Sequence, residues 1–448
     1  MADRGLILTV VAISIPWLAA ILVALTRRQT RALGFVAALA SVLASALLLH
    51  AAPVGESLGE ALMVLYSCLA VLAMLVLPRR DCSPGTIAGM LFLLGSTLLA
   101  YSTQNLLVLL AGWILTTVPF FLELFRARTW RPRLGLLLSS IALALAIGLI
   151  AVNGHAMSIG RLKGQSPGGT AVFALLVVAV IFRKGICPAH AWVADAAEGG
   201  PAVPTALLLN GHFGALLVAK TIVPLFPNAT RDLFPVLSYL ALATALYIAI
   251  RALTENSPRR LLAFLALSQS ACILAGLESR TAEGMTGAMV HWFVVTVSTM
   301  GLFGILRLLE VRFGENLTAS RHLGLAEHAP RLAVFFVIFG LALVGLPGTL
   351  SFCSQDLLIQ GTLLSHPLTG LLLPMAIAMN AVSIFRLFTR LFLGKRRTGF
   401  TMMADALPRE RWILTAGVLF VVLGGLFPNT IVSLGPVDAQ AVEQSSTK

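Results

Sequence analysis

The chain of 448 residues is 58% hydrophobic and only 11% charged, whereas a water-soluble domain has about 25% charged residues, so most of it does not face water. Its formal charge of +13 would suggest nucleic acid in a soluble protein, but the basic residues sit in short connectors between apolar runs, which points to membrane topology and lipid headgroups and excludes a nucleic-acid partner. Cys68, Cys82, Cys187, Cys272 and Cys353 are scattered, with no CxxC pair and no metal spacing, leaving disulfides, metal, iron–sulfur and flavin or nicotinamide cofactors without support.

The apolar runs are long enough to cross a hydrocarbon layer of roughly 30 Å as helices. They lack the period-2 alternation of barrel strands, and backbone groups in lipid must be satisfied internally. The expected fold is an all-α integral membrane protein of about fourteen spans. In chain order these lie near 6–26, 31–51, 58–77, 84–102, 104–124, 133–152, 169–185, 202–226, 230–252, 259–276, 284–308, 331–349 with a continuation to 365, 367–394 and 411–434. The first run is too long for a cleaved signal and is expected to remain a span.

The alternation of connectors then sorts the basic residues. One side holds most of them, among them Arg27, Arg28, Arg31, Arg79, Arg80, Arg126, Arg128, Arg131, Arg259, Arg260, Arg307, Arg312, Arg396 and Arg397. The other side holds Arg4, Arg161, Lys163, Arg231, Arg280 and Lys448. The positive-inside rule therefore predicts both termini on the non-cytoplasmic side of a bacterial-type inner membrane.

Two spans carry interruptions. The seventh runs into Arg183-Lys184-Gly185-Ile186-Cys187-Pro188-Ala189-His190-Ala191-Trp192, then Asp195, Glu198 and Pro201. The twelfth runs into Gly345-Leu346-Pro347-Gly348, then Gln355 and Asp356. Proline removes a donor and clashes with the preceding turn, so each site should break its helix. Irregular backbone at membrane depth is tolerated where it lines a wet or protein-buried cavity. The breaks lie five spans apart, and units of five helices face opposite ways in a bilayer. The chain therefore divides into three N-terminal helices (1–83), a first five-helix unit (84–226), an inverted second unit (227–398), and a last helix with a polar tail (399–448). Paired breaks in inverted repeats point to an ion path.

The residues from Pro188 to Ala206, with His190, Trp192, Asp195, Pro201 and Thr205-Ala206, resemble the central signature of the antiporter-like subunits of respiratory complex I. That family has relatives in multi-subunit cation/proton antiporters, membrane hydrogenases and inorganic-carbon uptake complexes. Gln104-Asn105-Leu106 with Trp113, Arg260 to Gln269, His291, and Gly345-Leu346-Pro347 to Asp356 match further, in family order. The resemblance implies a proton-conducting subunit without redox cofactors. Its partners are other membrane subunits or a large soluble cytoplasmic zinc protein, and its coupling ion is the proton or sodium. It also exposes departures. Ile114 stands where a glutamate follows the tryptophan, with Glu123 the nearest acid. Arg183, followed by Lys184, holds the seventh-helix lysine position. Leu207 or Leu208 replaces a histidine, with His212 a turn beyond. Val295 and Thr299 break the ladder that His291 begins, and Gln355 takes a lysine slot.

A lysine taken out of water can bind and release a proton, which an arginine effectively cannot; Lys184 is the expected carrier, unless it and Arg183 snorkel to the interface. His190, His212 and His291 are imidazoles suited to relay or to packing. Asp356 is expected to serve the path or to cap a helix. Asp195 and Glu198 are expected to brace the first break, and Lys220 and Arg386 to pair with acids or snorkel. No nucleophile–base arrangement suggests chemistry of the chain's own. The competing reading is a non-conducting scaffold for a soluble partner.

Overall fold

The computed structural model describes residues 2–27, 29–52, 58–122, 129–314, 317–395 and 405–432. Glu123 and Arg28, Arg126, Arg128, Arg396, Arg397 and Lys448 of the charge pattern lie outside the described residues, as does the side chain of Arg4.

Almost every described element is helical. The N-terminal group comprises α1 (Ala2–Thr26), α2 (Thr30–Ala51), α3 (Leu58–Val76) and α4 (Pro84–Ser102). Then come α5 (Leu106–Leu115), α6 (Val118–Phe121), α7 (Arg131–Val152), α8 (Ile159–Leu162), α9 (Gly169–Lys184), α10 (Ala191–Gly199), α11 (Ala202–Leu209), α12 (Phe213–Leu217) and α13 (Val223–Leu225). The second half holds α14 (Pro227–Thr254), α15 (Pro258–Glu278), α16 (Ala282–Phe313), α17 (Pro330–Leu343), α18 (Leu350–Ser365), α19 (Pro367–Phe392), α20 (Pro408–Leu426) and α21 (Asn429–Val432).

Among the described residues ten helical segments are long and apolar enough to cross a membrane. Of the other four expected spans, three are shorter or divided, and the fourteenth is the continuous α20, whose first turn carries Arg409, Glu410 and Arg411. The fifth is split into α5 and α6, the seventh stops after 16 residues at Lys184, and the twelfth is split into α17 and α18. Helix starts follow local chemistry. Pro84, Pro258, Pro330, Pro367 and Pro408 stand in first turns, where a missing N–H costs nothing. Asn105 Oδ1 accepts from Leu107 and Val108 N–H to cap α5, and the Thr281 hydroxyl accepts from Gly284 to cap α16.

α15 and α16 form the centre, and the membrane-length stretch of α16 is wholly enclosed by protein. α16 packs against α18, α15, α17 and α3, while α14 covers the other side of α15. Helices surrounded by lipid gain little from hydrophobic transfer and associate through close packing at small residues. Gly287 is such a point, since a Cβ there would come within 2.5 Å of the Leu358 backbone nitrogen on α18.

Both predicted interruptions are present. After α9, Gly185 adopts left-handed backbone (φ 71°) and the chain turns through Pro188 before α10 begins. Pro201 precedes α11. Around Pro347, Gly345 and Gly348 both have positive φ (86° and 87°), separating α17 from α18. A third interruption departs from the expected continuous span over 202–226: Asn210, Gly211 and His212 separate α11 from α12, with His212 itself left-handed (φ 41°). Asn and His tolerate that conformation better than most non-glycine residues, so the chain breaks here without a proline.

One end of the bundle is closed by ion pairs. Glu310 of α16 receives Arg259 through two bonds of 2.6 Å and Arg307 at 3.0 Å, while Arg307 also grips Asp81 at 2.6 and 2.8 Å. Arg312 reaches Glu410 at 2.6 Å. This is the end that the charge pattern assigns to the cytoplasm.

Candidate functional site

The last turn of α9 buries two cations side by side, Arg183 and Lys184. They part company at once. The Arg183 guanidinium donates to the Thr116 hydroxyl and lies over the rings of Trp113 (5.1 Å) and Phe213 (4.7 Å). Its neighbours are a hydroxyl and two π faces, with no carboxylate among the described residues. Ile114, the position where a glutamate was expected, faces outward.

Lys184 turns the other way. Its Nζ lies 3.0 Å from Nδ1 of His212, and the Ser270 hydroxyl lies 3.4 Å from the same nitrogen. The left-handed break places the imidazole here, and Trp292 of α16 meets the His212 ring edge-to-face at 5.6 Å. Gly214 makes room for the lysine: a Cβ at this position would come within 2.3 Å of Lys184 Cγ. Gly214→Val should therefore push the Lys184 stem aside while removing neither titratable group. Proton flux through the assembled complex should fall as it does on loss of Lys184, with the complex still recovered intact.

Gln269, the residue before Ser270 on α15, faces the second histidine. His291 Nε2 is 2.9 Å from Gln269 Oε1, and His291 Nδ1 is 3.1 Å from the Ser354 hydroxyl of α18. Adjacent residues of one helix thus touch both histidines, giving an interior line of Lys184, His212, Ser270, Gln269, His291 and Ser354. A cavity of about 30 Å³ lined by Lys184, Asn210, His212 and Ser270 adjoins the first part of the line, enough for a water molecule. The amine and the imidazoles can hold a proton, while the hydroxyls and the amide supply hydrogen-bonding groups between them.

The carbonyls freed by the third break are answered from the N-terminal group. Tyr66 of α3 donates to Leu207 O (2.8 Å) and Tyr101 of α4 to Gly211 O (2.7 Å). Thr299, at a thinned position of the expected ladder, reaches Asn210 Oδ1 at 2.7 Å, while Val295 is buried apolar core. Gln355 donates to the Ser351 hydroxyl (3.2 Å) and to Leu343 O at the end of α17, tying the halves of the twelfth span together. Trp192 bridges the first break by donating to Phe182 O at 2.8 Å.

Other expected residues fall away from the line. Asp356 is exposed on the outer face of α18, where its carboxylate accepts from Gln360. Ser351, Ser354, Gln355 and Leu358 take the buried face at helical spacing, so Asp356 is rotated outward. His190 is half-buried against Cys187 and the Tyr247 ring. Asp195 pairs with Arg131 (3.3 Å) and Arg260 (3.1 Å), and Glu198 with Arg260 (3.0 Å). Lys220 and Arg386 meet carbonyls rather than acids. Lys220 donates to Tyr101 O (2.7 Å), and Arg386 to Glu255 O and Asn256 Oδ1 (both 2.9 Å). Ser270, Asn210, Ser354 and the two tyrosines were not singled out in the sequence; only the Arg260–Gln269 match ran up to this part of α15.

Residues 104–380, more than half of the chain, match the family described as NADH:quinone oxidoreductase/Mrp antiporter, TM. Among curated proteins, an NADH-quinone oxidoreductase subunit N 3 of Streptomyces griseus is 26% identical over 294 residues, covering 63% of this chain and 52% of the relative. The chain spans about half the length of the curated relatives it matches. Among solved structures, a chain of respiratory complex I from Thermus thermophilus with bound NADH superposes with a TM-score of 0.89 at 25% identity, covering 97% of this chain and 99% of that one. A chain of the Mrp complex from Dietzia sp. DQ12-45-1b shares the fold (TM-score 0.84, 18% identity, 99% and 98% covered).

Proposed function

The chain belongs to the NADH:quinone oxidoreductase/Mrp antiporter transmembrane family, and from that premise we propose that it conducts protons as one membrane subunit of a larger ion-translocating complex. The observation that carries this reading is the Lys184–His212 contact of 3.0 Å inside the membrane-spanning bundle. A buried amine facing an imidazole, with no carboxylate partner among the described residues, is suited to exchanging a proton with its neighbour. The path runs from this pair through Ser270 and Gln269 to His291 and Ser354.

The remaining proposals concern setting. The breaks after α9 and between α17 and α18 support two inverted five-helix units over 84–226 and 227–398. The arginine-rich, ion-paired end supports a cytoplasmic assignment there, with both termini on the opposite side of an inner membrane. Asp356, a carboxylate on the outer face of α18 beside Phe352 and Leu363, is poorly suited to lipid and supports contact with a neighbouring membrane subunit at this face. Two assemblies fit: a complex I-like or hydrogenase-like machine, and an inorganic-carbon uptake pair with a large soluble zinc protein. Protons fit the line better than sodium, which is bound by oxygen-rich cages.

A scaffold is the second reading, favoured by Ile114 and Val295 at positions where the resemblance expects charge. Purifying the native complex in mild detergent, identifying its chains by mass spectrometry and measuring proton flux in proteoliposomes tests both readings. Flux that depends on Lys184 is expected. A complete complex that carries no flux makes the chain a scaffold. Co-purifying iron–sulfur chains would select the redox-driven assembly, and a single zinc protein the carbon-uptake pair.

A further inference from the structure

We infer that Glu278 is a second proton-binding site of this chain, set across an apolar collar from the Lys184–His212 pair; the inference rests on the proton-conducting reading above. Glu278 closes α15 and is 5% exposed, and its Oε2 has no hydrogen-bond partner. Its carboxylate has no ion pair among the described residues. The other enclosed acids among the described residues are all paired: Glu310 with Arg259 and Arg307, Glu410 with Arg312, Asp195 with Arg131 and Arg260. Glu278 is the exception, and the charged side chains of neighbouring elements do not compensate it. Lys220 is turned to Tyr101 O, while Arg231 and Asp232 of α14, Arg280 of the following turn and Glu283 of α16 make no ion pair with it. An uncompensated charge taken out of water is costly, so a carboxyl in such a place takes up a proton.

The surroundings give this acid a task. It lines a cavity of about 20 Å³ whose other walls include Val177, Ile181, Val218, Ile222, Phe234 and Leu274. A separate cavity is lined by Lys184, His212 and Ser270. On α9 Ile181 lies a turn before Lys184, and on α15 Leu274 lies a turn after Ser270. The collar therefore separates the pair from Glu278, which is about 12 Å further along α15 at ~1.5 Å per residue. Hydrophobic constrictions pass protons only when water enters, and they gate by dewetting. In the step assigned here, a proton given up by the Lys184 ammonium or the His212 imidazolium crosses water in the collar. The Glu278 carboxylate takes it to become the neutral acid, and later releases it beyond the end of α15.

Dicyclohexylcarbodiimide, a hydrophobic reagent that adds to protonated carboxyl groups, tests this in the native complex. Peptide mass spectrometry should find the adduct at Glu278, with labelling falling as pH rises, and no adduct in Glu278→Gln. Proton flux should drop about tenfold or more in Glu278→Gln and recover in part in Glu278→Asp. Absence of an adduct at Glu278 at every pH tested overturns the inference. So does full flux in an assembled Glu278→Gln complex. A wild-type complex that labels at Glu278 yet carries no flux overturns the conducting reading instead, leaving a protonated buried acid in place. Should Glu278→Gln not assemble, the pH-dependent labelling of the wild-type complex and the flux of Glu278→Asp decide between the same outcomes.

Discussion

Replacing Lys184 with methionine is expected to cut proton flux through the assembled complex on the order of a hundredfold, the scale on which a positioned acid–base group contributes to proton transfer. The aliphatic stem beside Gly214 is preserved by methionine, so packing is disturbed little. What disappears is the amine 3.0 Å from His212. Lys184→Arg is the informative companion. It keeps the positive charge, yet a guanidinium does not release its proton, so flux should fall as far as in the methionine variant. If Lys184→Arg conducts like the native chain, Lys184 supplies fixed charge only and the line must carry protons past it.

The largest effect on stability is expected at the ion-paired end. Glu310→Ala removes the acid that holds Arg259 by two bonds and Arg307 by one. Both arginines are largely enclosed, with side-chain exposures of 18% and 9%, so their charge cannot simply be returned to water. Breaking one partner of a buried pair costs about 3–5 kcal/mol, and a lowered thermal midpoint of the detergent-solubilised protein should report it. Arg307 retains Asp81, which places the loss chiefly on Arg259. Arg131→Ala gives the contrast: that arginine is 61% exposed in its pair with Asp195, and exposed pairs contribute about 0–1 kcal/mol. A midpoint unchanged in Glu310→Ala would show that the clamp does not hold this end together.

The difference between these two regions explains what could be read from the sequence. Long apolar runs and prolines are strong local signals, so the spans and the breaks at Pro188 and Pro347 were legible. The break at Asn210–His212 was not, because it contains no proline and depends on left-handed backbone at a histidine. Lys184 and His291 stood out as ionisable groups in apolar helices. Lys184 meets His212, and His291 meets Gln269 and Ser354 of α18; hydroxyls and amides are common in membrane helices, and Ser270 and Gln269 gain meaning only when α15 brings them between the two histidines. Asp356 shows the opposite failure. A carboxylate beside a helix break attracts attention, yet one step of helical rotation from Gln355 carries it to the outer face. Glu278 sits at the end of an apolar run, where an acid ordinarily marks the water interface; its enclosure depends on α9, α14 and the segment around Val218.

The length of α9 has an electrical meaning. Lys184 is its last residue of 16, about 22 Å from the first at ~1.5 Å per residue, against a hydrocarbon layer of roughly 30 Å. With α9 set across the layer, a proton reaching Lys184 from the Gly169 side would, on the proposed conducting reading, traverse most of the transmembrane potential, whereas one arriving past α10 would traverse little. At about 2.3 kcal/mol per elementary charge for each 100 mV, an energised membrane strongly biases loading from the first direction and barely touches loading from the second. On that reading the pair would be coupled to voltage on one side and to proton concentration on the other, a division set by where α9 stops.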